Sequence, residues 1–314
     1  MVRRRVQQGR EAVPAVTKTL VTGINGFTGR YLAQRLLSAG HEVHGLARSD
    51  DSSLIDPAIT LHVGELLDEE RLSTIVAEVE PDYVVHLAAI AFVAHGELDE
   101  MYRTNILGTR ALLEACARAP KAPRSVLVAS SANIYGNATS GTISESAPTA
   151  PANDYAVTKV AVENVAAIYG VRLPIIVTRP FNYTGLGQSE SFLIPKIVSH
   201  IRRRAPEIEL GNLDVSRDFS DVRSVVDAYL RLLDAPEAIG GTFNVCSGGT
   251  VSLREVITLA SRIADHDIEV RVNPDFVRAN EVRLLQGSKQ RLESVIGPLD
   301  VPSFEDTLRW MIEA

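Results

Sequence analysis

The chain has 314 residues, 45% hydrophobic and 23% charged, enough for one large domain or two that share a core. Its net charge of −7 gives no electrostatic case for nucleic acid or an anionic membrane, and no apolar run approaches the roughly 18 residues that span a bilayer. Cys116 and Cys246 lie far apart and in no metal-ligand spacing, so they read as reduced thiols of a cytoplasmic protein.

Residues 1–17 are charged rather than apolar and read as a disordered or tag-like tail, not a signal peptide. "KTLVTG" (18–23) reads as a strand ending at Gly23. "FTGRYLAQRLLSAG" (27–40) then sets Leu32, Leu36 and Leu37 at helical spacing, with Gly40 as the stop. "HEVHGLAR" (41–48) and "ITLHVG" (59–64) read as further strands, and a helix from about 69 to 79 halts before Pro81. "DYVVHLAA" (82–89) is apolar without alternation, as in a strand covered on both faces. A long helix over about 98–118, the strand "RSVLVASS" (124–131), a helix from near Tyr155 and the strand "LPIIVTR" (173–179) follow.

Such alternation predicts right-handed crossovers and a doubly wound parallel sheet, a Rossmann α/β fold that binds ligands at the carboxyl ends of its strands. Past Pro180 the pattern becomes irregular, although "GTFNVCSG" (241–248) can return to the main sheet. The expected division is a dinucleotide-binding domain over 18–180 plus about 218–248. A smaller C-terminal α/β domain for the substrate takes 181–217 and 249–314.

"TGINGFTG" spaces glycines at 23, 26 and 29 between the first strand and the first helix. Gly23 leaves the strand in a tight turn, Gly26 lets backbone N–H groups approach a pyrophosphate, and Gly29 packs the helix on the strand. At the end of the second strand stand Arg48 and Ser49, where an acidic residue would favour NAD. Arginine pairs with a 2′-phosphate, so NADP(H) is favoured over NAD(H); a solvent-facing Arg48 with Asp50 or Asp51 on the ribose is the competing reading. Tyr155 and Lys159, four apart on a helix, share a face, and the ammonium is expected to lower the tyrosine pKa. Tyr135 has no such lysine and reads as framework.

Taken with "HLAA" (86–89), "TNILGT" (104–109), "SSANIYG" (130–136), "YAVTK" (155–159) and "RPFN" (179–182), the chain from Lys18 onward resembles the extended short-chain dehydrogenase/reductases that act on nucleotide sugars. "FNYTGLGQSESF", "GNLDVSRDFSDVRSVVDAYLRLL" and "FNVCSG" are most similar to the branch of GDP-mannose dehydratases and GDP-4-keto-6-deoxy-mannose reductases. The resemblance implies Ser131, Tyr155 and Lys159 as the catalytic set. It also implies a cofactor lined by Gly23, Asn25, Gly26, Phe27, Thr28, Gly29, Arg48, Glu65, Leu66, Leu87, Ala88 and Ala89, with Tyr155 and Lys159 at the nicotinamide ribose. Glu65 stands where the family commonly has aspartate. Asn133, Asn182, Lys196, Arg217, Arg278 and Glu281 are implied to face the nucleotide-diphosphate sugar. Arg217 beside Asp218, and Arg278 three before Glu281, can instead be structural pairs. The family also implies a homodimer through a four-helix bundle made by the helix over about 98–118 and the one beginning near Tyr155.

Asn133 separates the reactions this scaffold supports. A 4,6-dehydratase needs a further acid/base, which in the family this chain resembles is a Glu or Asp at this position, and an amide cannot exchange that proton near neutral pH. A 4-epimerase tolerates the amide but usually retains NAD. A 4-keto reductase needs only a hydride donor, a proton donor and a grip on the carbonyl oxygen. The expectation is therefore NADPH-dependent reduction of GDP-4-keto-6-deoxy-D-mannose, with GDP-D-rhamnose as product. A dinucleotide-binding sensor or scaffold is the non-enzyme alternative, and it would be free to lose the Ser131, Tyr155 and Lys159 set.

Overall fold

The computed structural model describes residues 16–50, 53, 55–91, 98–136, 141–274 and 284–314, so most of the expected tail lies outside the described residues. Strands β1 (Lys18–Thr22), β2 (Glu42–Ala47), β3 (Thr60–Val63), β4 (Tyr83–His86) and β5 (Ser125–Ala129) alternate with helices. These are α1 (Phe27–Ser38), α2 (Glu69–Val79), and a run of α3 (Leu98–Tyr102), a wide i→i+5 turn (Arg103–Gly108) and α4 (Thr109–Arg118). Next come β6 (Thr142–Ile143), α5 (Asp154–Tyr169), β7 (Ile175–Pro180), β8 (Asn182–Thr184), α6 (Leu193–Arg202) and β9 (Glu207–Leu210). After β10 (Ser216–Arg217), β11 (Phe219–Asp221) and α7 (Val222–Leu233) comes β12 (Thr242–Val245). The remaining elements are β13 (Val251–Ser252), α8 (Leu253–Ala264), β14 (Glu269–Val272), β15 (Leu284–Gly287), α9 (Gln290–Ile296) and α10 (Phe304–Glu313).

Seven strands form one parallel sheet in the order β12-β7-β5-β4-β1-β2-β3. "GTFNVCSG" does return to it, with Thr242 opposite Val177. The strand order reverses between β1 and β4, which is where ligands bind in such sheets. Every residue of β4 and β5 is buried, which explains their unbroken apolar sequence. Helix α1 buries Leu32 and Leu36, as its spacing predicts, and Leu37 packs half-buried on the same core. Asp68 caps α2 by accepting from the Arg71 N–H, and Glu80 closes it in the left-handed region at φ 48° just before Pro81.

A separate apolar cluster joins α6, α8 and α10 through Ile194, Ile197, Val256, Leu308 and Met311. Asp218, fully buried, ties the segments near it together. Its carboxylate accepts from the Ser247 N–H and hydroxyl (2.8 and 2.7 Å) and from the N–H groups of Gly248 and Gly287 (3.1 and 3.2 Å). The sequence, where Asp218 is only an alternative partner for Arg217, does not show this backbone clasp. A second buried node holds the sheet to α5. Arg179 donates to both Glu163 oxygens (2.9 and 2.7 Å) and to the Tyr135 hydroxyl (2.8 Å), which in turn donates to Asn244 Oδ1 (2.7 Å). Tyr135 is thus framework.

Candidate active site

The candidate residues gather because parallel strands end at one edge. Thr22 is in register with Leu46 and with His86, and His86 with Val128, so the residues just beyond share one crevice. Gly23 adopts φ 71°, and a Cβ there would lie 2.9 Å from the Ala88 nitrogen, so only glycine lets the ends of β1 and β4 meet. At Gly29 a Cβ would lie 2.2 Å from the Gly23 carbonyl oxygen. Gly26 offers α1 no side-chain cap, which leaves the first-turn N–H groups directed at the crevice. This cradle fits a dinucleotide pyrophosphate.

Asn153 starts α5 by accepting from the Ala156 N–H at 2.9 Å, a cap that contributes about 1 kcal/mol and places Tyr155 in the first turn. The Ser131 side chain lies close enough to Tyr155 to favour the ionised form of its phenol. Ser131 itself follows β5 and accepts from the Asn133 N–H at 3.2 Å. The buried Lys159 ammonium donates to the Ala129 carbonyl at 2.7 Å and stands 5.6 Å from the centroid of the Tyr155 ring. The structure therefore brings Ser131, Tyr155 and Lys159 together.

The electrostatics differ from the expected lowering of the tyrosine. Burial pushes the Tyr155 phenol up, the neighbouring Tyr183 phenol adds to this, and the Ser131 side chain only partly opposes it. Lys159 spends a hydrogen bond on Ala129, so desolvation wins at Tyr155. Burial brings Lys159 down to about 8, with Glu163 holding it up. Near neutral pH the pair is accordingly a protonated phenol beside a mostly charged ammonium, which suits donation of a proton to a developing alkoxide.

A buried polar chain, which the sequence reading did not identify, supports this pair. The Ala88 N–H donates to Thr22 Oγ1 (3.2 Å), and Thr22 bonds His86 Nδ1 (2.7 Å). His86 Nε2 bonds Thr109 Oγ1 (2.9 Å), whose hydroxyl donates to the Asn105 carbonyl (2.5 Å). That direction requires the proton of His86 on Nε2. The Asn105 amide, in the wide turn, accepts from the Ile90 N–H (2.8 Å) and donates to the Ile90 carbonyl and to Thr158 Oγ1 (3.0 Å each). Thr158 donates to the Tyr155 carbonyl at 2.7 Å. "HLAA" and "TNILGT" mark these positions in the sequence, but only their packing shows that they connect.

This chain makes stability depend on pH. Burial first, then the Lys159 charge, push His86 down to about 3. An unfolded histidine titrates near ~6.5, so the folded state gains its full benefit above that pH. The benefit disappears as pH falls from there toward 3, with about 2 kcal/mol gone by roughly pH 5. His41 and His62, both lowered chiefly by burial, act in the same direction. The melting midpoint should fall between about pH 7 and 5, with a shallower slope in His86→Gln. Equal slopes in the two proteins would contradict this account.

The other expected residues are dispersed around the crevice. Leu87, Ala88 and Ala89 line it, half-buried; Asn25 is exposed beside Gly26, and Phe27 and Thr28 open α1. Arg48 is 75% exposed at the end of β2 and only 3.6 Å from Glu100, a weak surface pair that a 2′-phosphate could replace. Glu65 is exposed, whereas Leu66 is buried. Asn133 is exposed on the short helix Ala132–Tyr135. Asn182 donates to the Asp218 carbonyl (3.2 Å), Lys196 to the Glu209 carbonyl (2.8 Å) and Arg217 to the Ser216 carbonyl (3.0 Å). Arg278 and Glu281 lie outside the described residues.

A sheet of this topology, with an anion cradle at its switch point and a phenol–ammonium pair beside it, belongs to an oxidoreductase that works with a dinucleotide. The chain is a member of the NAD dependent epimerase/dehydratase family, which it matches over residues 19–246. It is 34% identical to GDP-6-deoxy-D-talose 4-dehydrogenase of Aggregatibacter actinomycetemcomitans and 36% identical to GDP-6-deoxy-D-mannose reductase of Pseudomonas aeruginosa. Each match covers 89% of this chain and 91% of the relative. Among solved structures, one from Burkholderia cenocepacia, described only provisionally as an epimerase, is 51% identical with a TM-score of 0.90. That match covers 95% of this chain and 97% of the other. The structure of RMD from Pseudomonas aeruginosa complexed with NADPH is 33% identical with a TM-score of 0.82, covering 95% and 98%. Among the described residues no helix is long and apolar enough to cross a membrane.

Proposed function

We propose that this protein reduces the 4-keto group of GDP-4-keto-6-deoxy-D-mannose with NADPH and that the product is GDP-D-rhamnose. The observation that carries the reading is Asn133. It is exposed two residues beyond Ser131, where a dehydratase would need a carboxylate, and its backbone N–H bonds the Ser131 hydroxyl. The similarity to enzymes named for GDP-6-deoxy sugars supports the GDP-linked substrate, and the NADPH-bound RMD structure supports the cofactor.

NADPH held by the glycine turn, with Arg48 at its 2′-phosphate, would supply hydride to carbon 4 of the sugar. The chain's own groups manage the oxygen. Ser131 hydrogen-bonds the ketone oxygen, and Tyr155 gives it a proton as alkoxide character develops. The Lys159 ammonium stabilises the phenolate left behind. Asn182, Lys196, Arg217, Arg278 and Glu281 are proposed to grip the nucleoside diphosphate within the smaller domain over 181–217 and 249–314. Buried, unpaired Cys116 and Cys246 suit a cytoplasmic setting.

The test is to incubate the protein with GDP-mannose and with its 4-keto-6-deoxy derivative, with and without NADPH, and to identify products by NMR. NADPH consumption with the keto sugar alone, yielding GDP-D-rhamnose, is the expected result. Water elimination from GDP-mannose would refute reduction as the native chemistry. GDP-6-deoxy-D-talose would retain reduction but place the hydride on the other face.

We also propose a homodimer built by the helical run from Leu98 to Arg118 together with α5. Leu107, Val157 and Ile168, at 47, 39 and 70% exposure, are large apolar side chains on these two elements. Light scattering should give twice the chain mass for the native protein and the chain mass for Leu107→Glu/Val157→Glu. A native monomer at micromolar concentration would remove the dimer.

A further inference from the structure

Tyr183 lies in β8 between Asn182 and Thr184, with all three residues in parallel register against Phe219–Asp221. Side chains alternate along a strand, so neighbouring residues face opposite ways. Asn182 turns to the Asp218 carbonyl, whereas Tyr183 reaches the start of α1. There its hydroxyl bonds Thr28 Oγ1 at 2.8 Å, and its ring stacks on Phe27 with centroids 6.1 Å apart and planes 13° apart. Phe27 and Thr28 belong to the turn that forms the anion cradle.

The backbone around Tyr183 has little freedom. Gln188 donates to the Tyr183 carbonyl (3.2 Å) and accepts from the Thr184 hydroxyl (2.8 Å). Beyond Thr184, a Cβ on Gly185 would lie 2.6 Å from Val222 and 3.4 Å from Phe27. A shift of α1 at its N-terminus is therefore passed to β8: the Tyr183 phenol bonds the strand itself to Thr28, while Tyr31 and Arg30 donate to the Leu186 and Gly187 carbonyls just beyond it.

We propose that Tyr183 is a positioning residue that couples the dinucleotide cradle to the sugar-nucleotide strand, so that filling either site tightens the other. The inference rests on the reading of two adjoining nucleotide sites given above, and it does not require reduction at carbon 4. An anion at α1 orders the first turn and with it the Thr28 hydroxyl. Thr28 then holds Tyr183, and β8 fixes Asn182. Linkage makes the effect equal in both directions.

Calorimetric titration of GDP, alone and with saturating NADP+, reads the coupling without turnover. The native protein should bind GDP at least about 5-fold more tightly when NADP+ is present. Tyr183→Phe keeps the ring stack and loses the hydroxyl, so its ratio should fall below about 2. Thr28→Val should behave likewise, Thr28→Ser should keep the coupling, and the double variant Tyr183→Phe/Thr28→Val should lose no more than either single one. A merely structural role would weaken GDP binding without NADP+ and leave the ratio unchanged. That result, or independent binding in the native protein, would overturn the proposal. If UDP binds and GDP does not, the guanine assignment fails while the same ratio, measured with UDP, still judges the coupling. Absence of binding by either nucleotide would overturn both.

Discussion

Tyr155→Phe is expected to lower kcat for the 4-keto sugar nucleotide by about 10²–10⁴-fold, the range for loss of a positioned general acid. NADPH affinity, measured by titration, should fall far less than kcat, because Lys159 and the glycine turn still hold the cofactor while the proton donor is lost. The ring should stay in place, since α5 is set by its Asn153 cap and by the Thr158 bond to the Tyr155 carbonyl. Turnover undiminished by this change would eliminate Tyr155 as the acid. The native pH profile adds a second check. The phenol is pushed up and stays protonated through the ordinary range, whereas Lys159 titrates at about 8. The rate should therefore fall as pH rises through that value, because the phenolate left after proton transfer then lacks its cation.

Arg179→Met should have the largest effect on stability. The Arg179 and Glu163 side chains are 10 and 15% exposed, so removing the guanidinium leaves a largely buried carboxylate without its bidentate partner. Breaking such a pair costs about 3–5 kcal/mol, and the Tyr135 hydroxyl loses a donor as well. In a chain of this size the melting midpoint should drop by about 5–8 °C. Arg179→Met/Glu163→Leu should recover most of the loss, because an apolar pair carries no desolvated charge. The double variant should also move the alkaline limb of the rate to lower pH, since Glu163 holds the Lys159 value up. A midpoint unchanged in Arg179→Met would show that the carboxylate finds water or another partner.

The strand–helix alternation was readable because each element carries its own period. Leu32 and Leu36 announce one face of α1, and the unbroken "YVVH" and "SVLVA" announce strands buried on both sides. The cradle was readable because positive φ at Gly23 and close backbone approach at Gly23 and Gly29 demand glycine. Tyr155 and Lys159 were readable because a spacing of four sets two side chains on one helical face. All of these are local properties of a short stretch.

The partners that give those residues their properties are far away in sequence. Tyr183 and Thr28 are 155 positions apart, Tyr135 and Asn244 are 109 apart, and His86 and Thr22 are 64 apart. No periodicity encodes such pairs; the order of strands in the sheet creates them. The same holds for charge. Helical spacing suggested an ammonium that lowers the tyrosine, but burial decides otherwise and keeps it a protonated acid. From the sequence alone came the Rossmann sheet, the glycine turn and the Ser131, Tyr155 and Lys159 set. Tertiary structure decided which groups are desolvated, which way each proton points and which distant side chains meet at the ends of the strands, because those properties arise only where distant segments exclude water together.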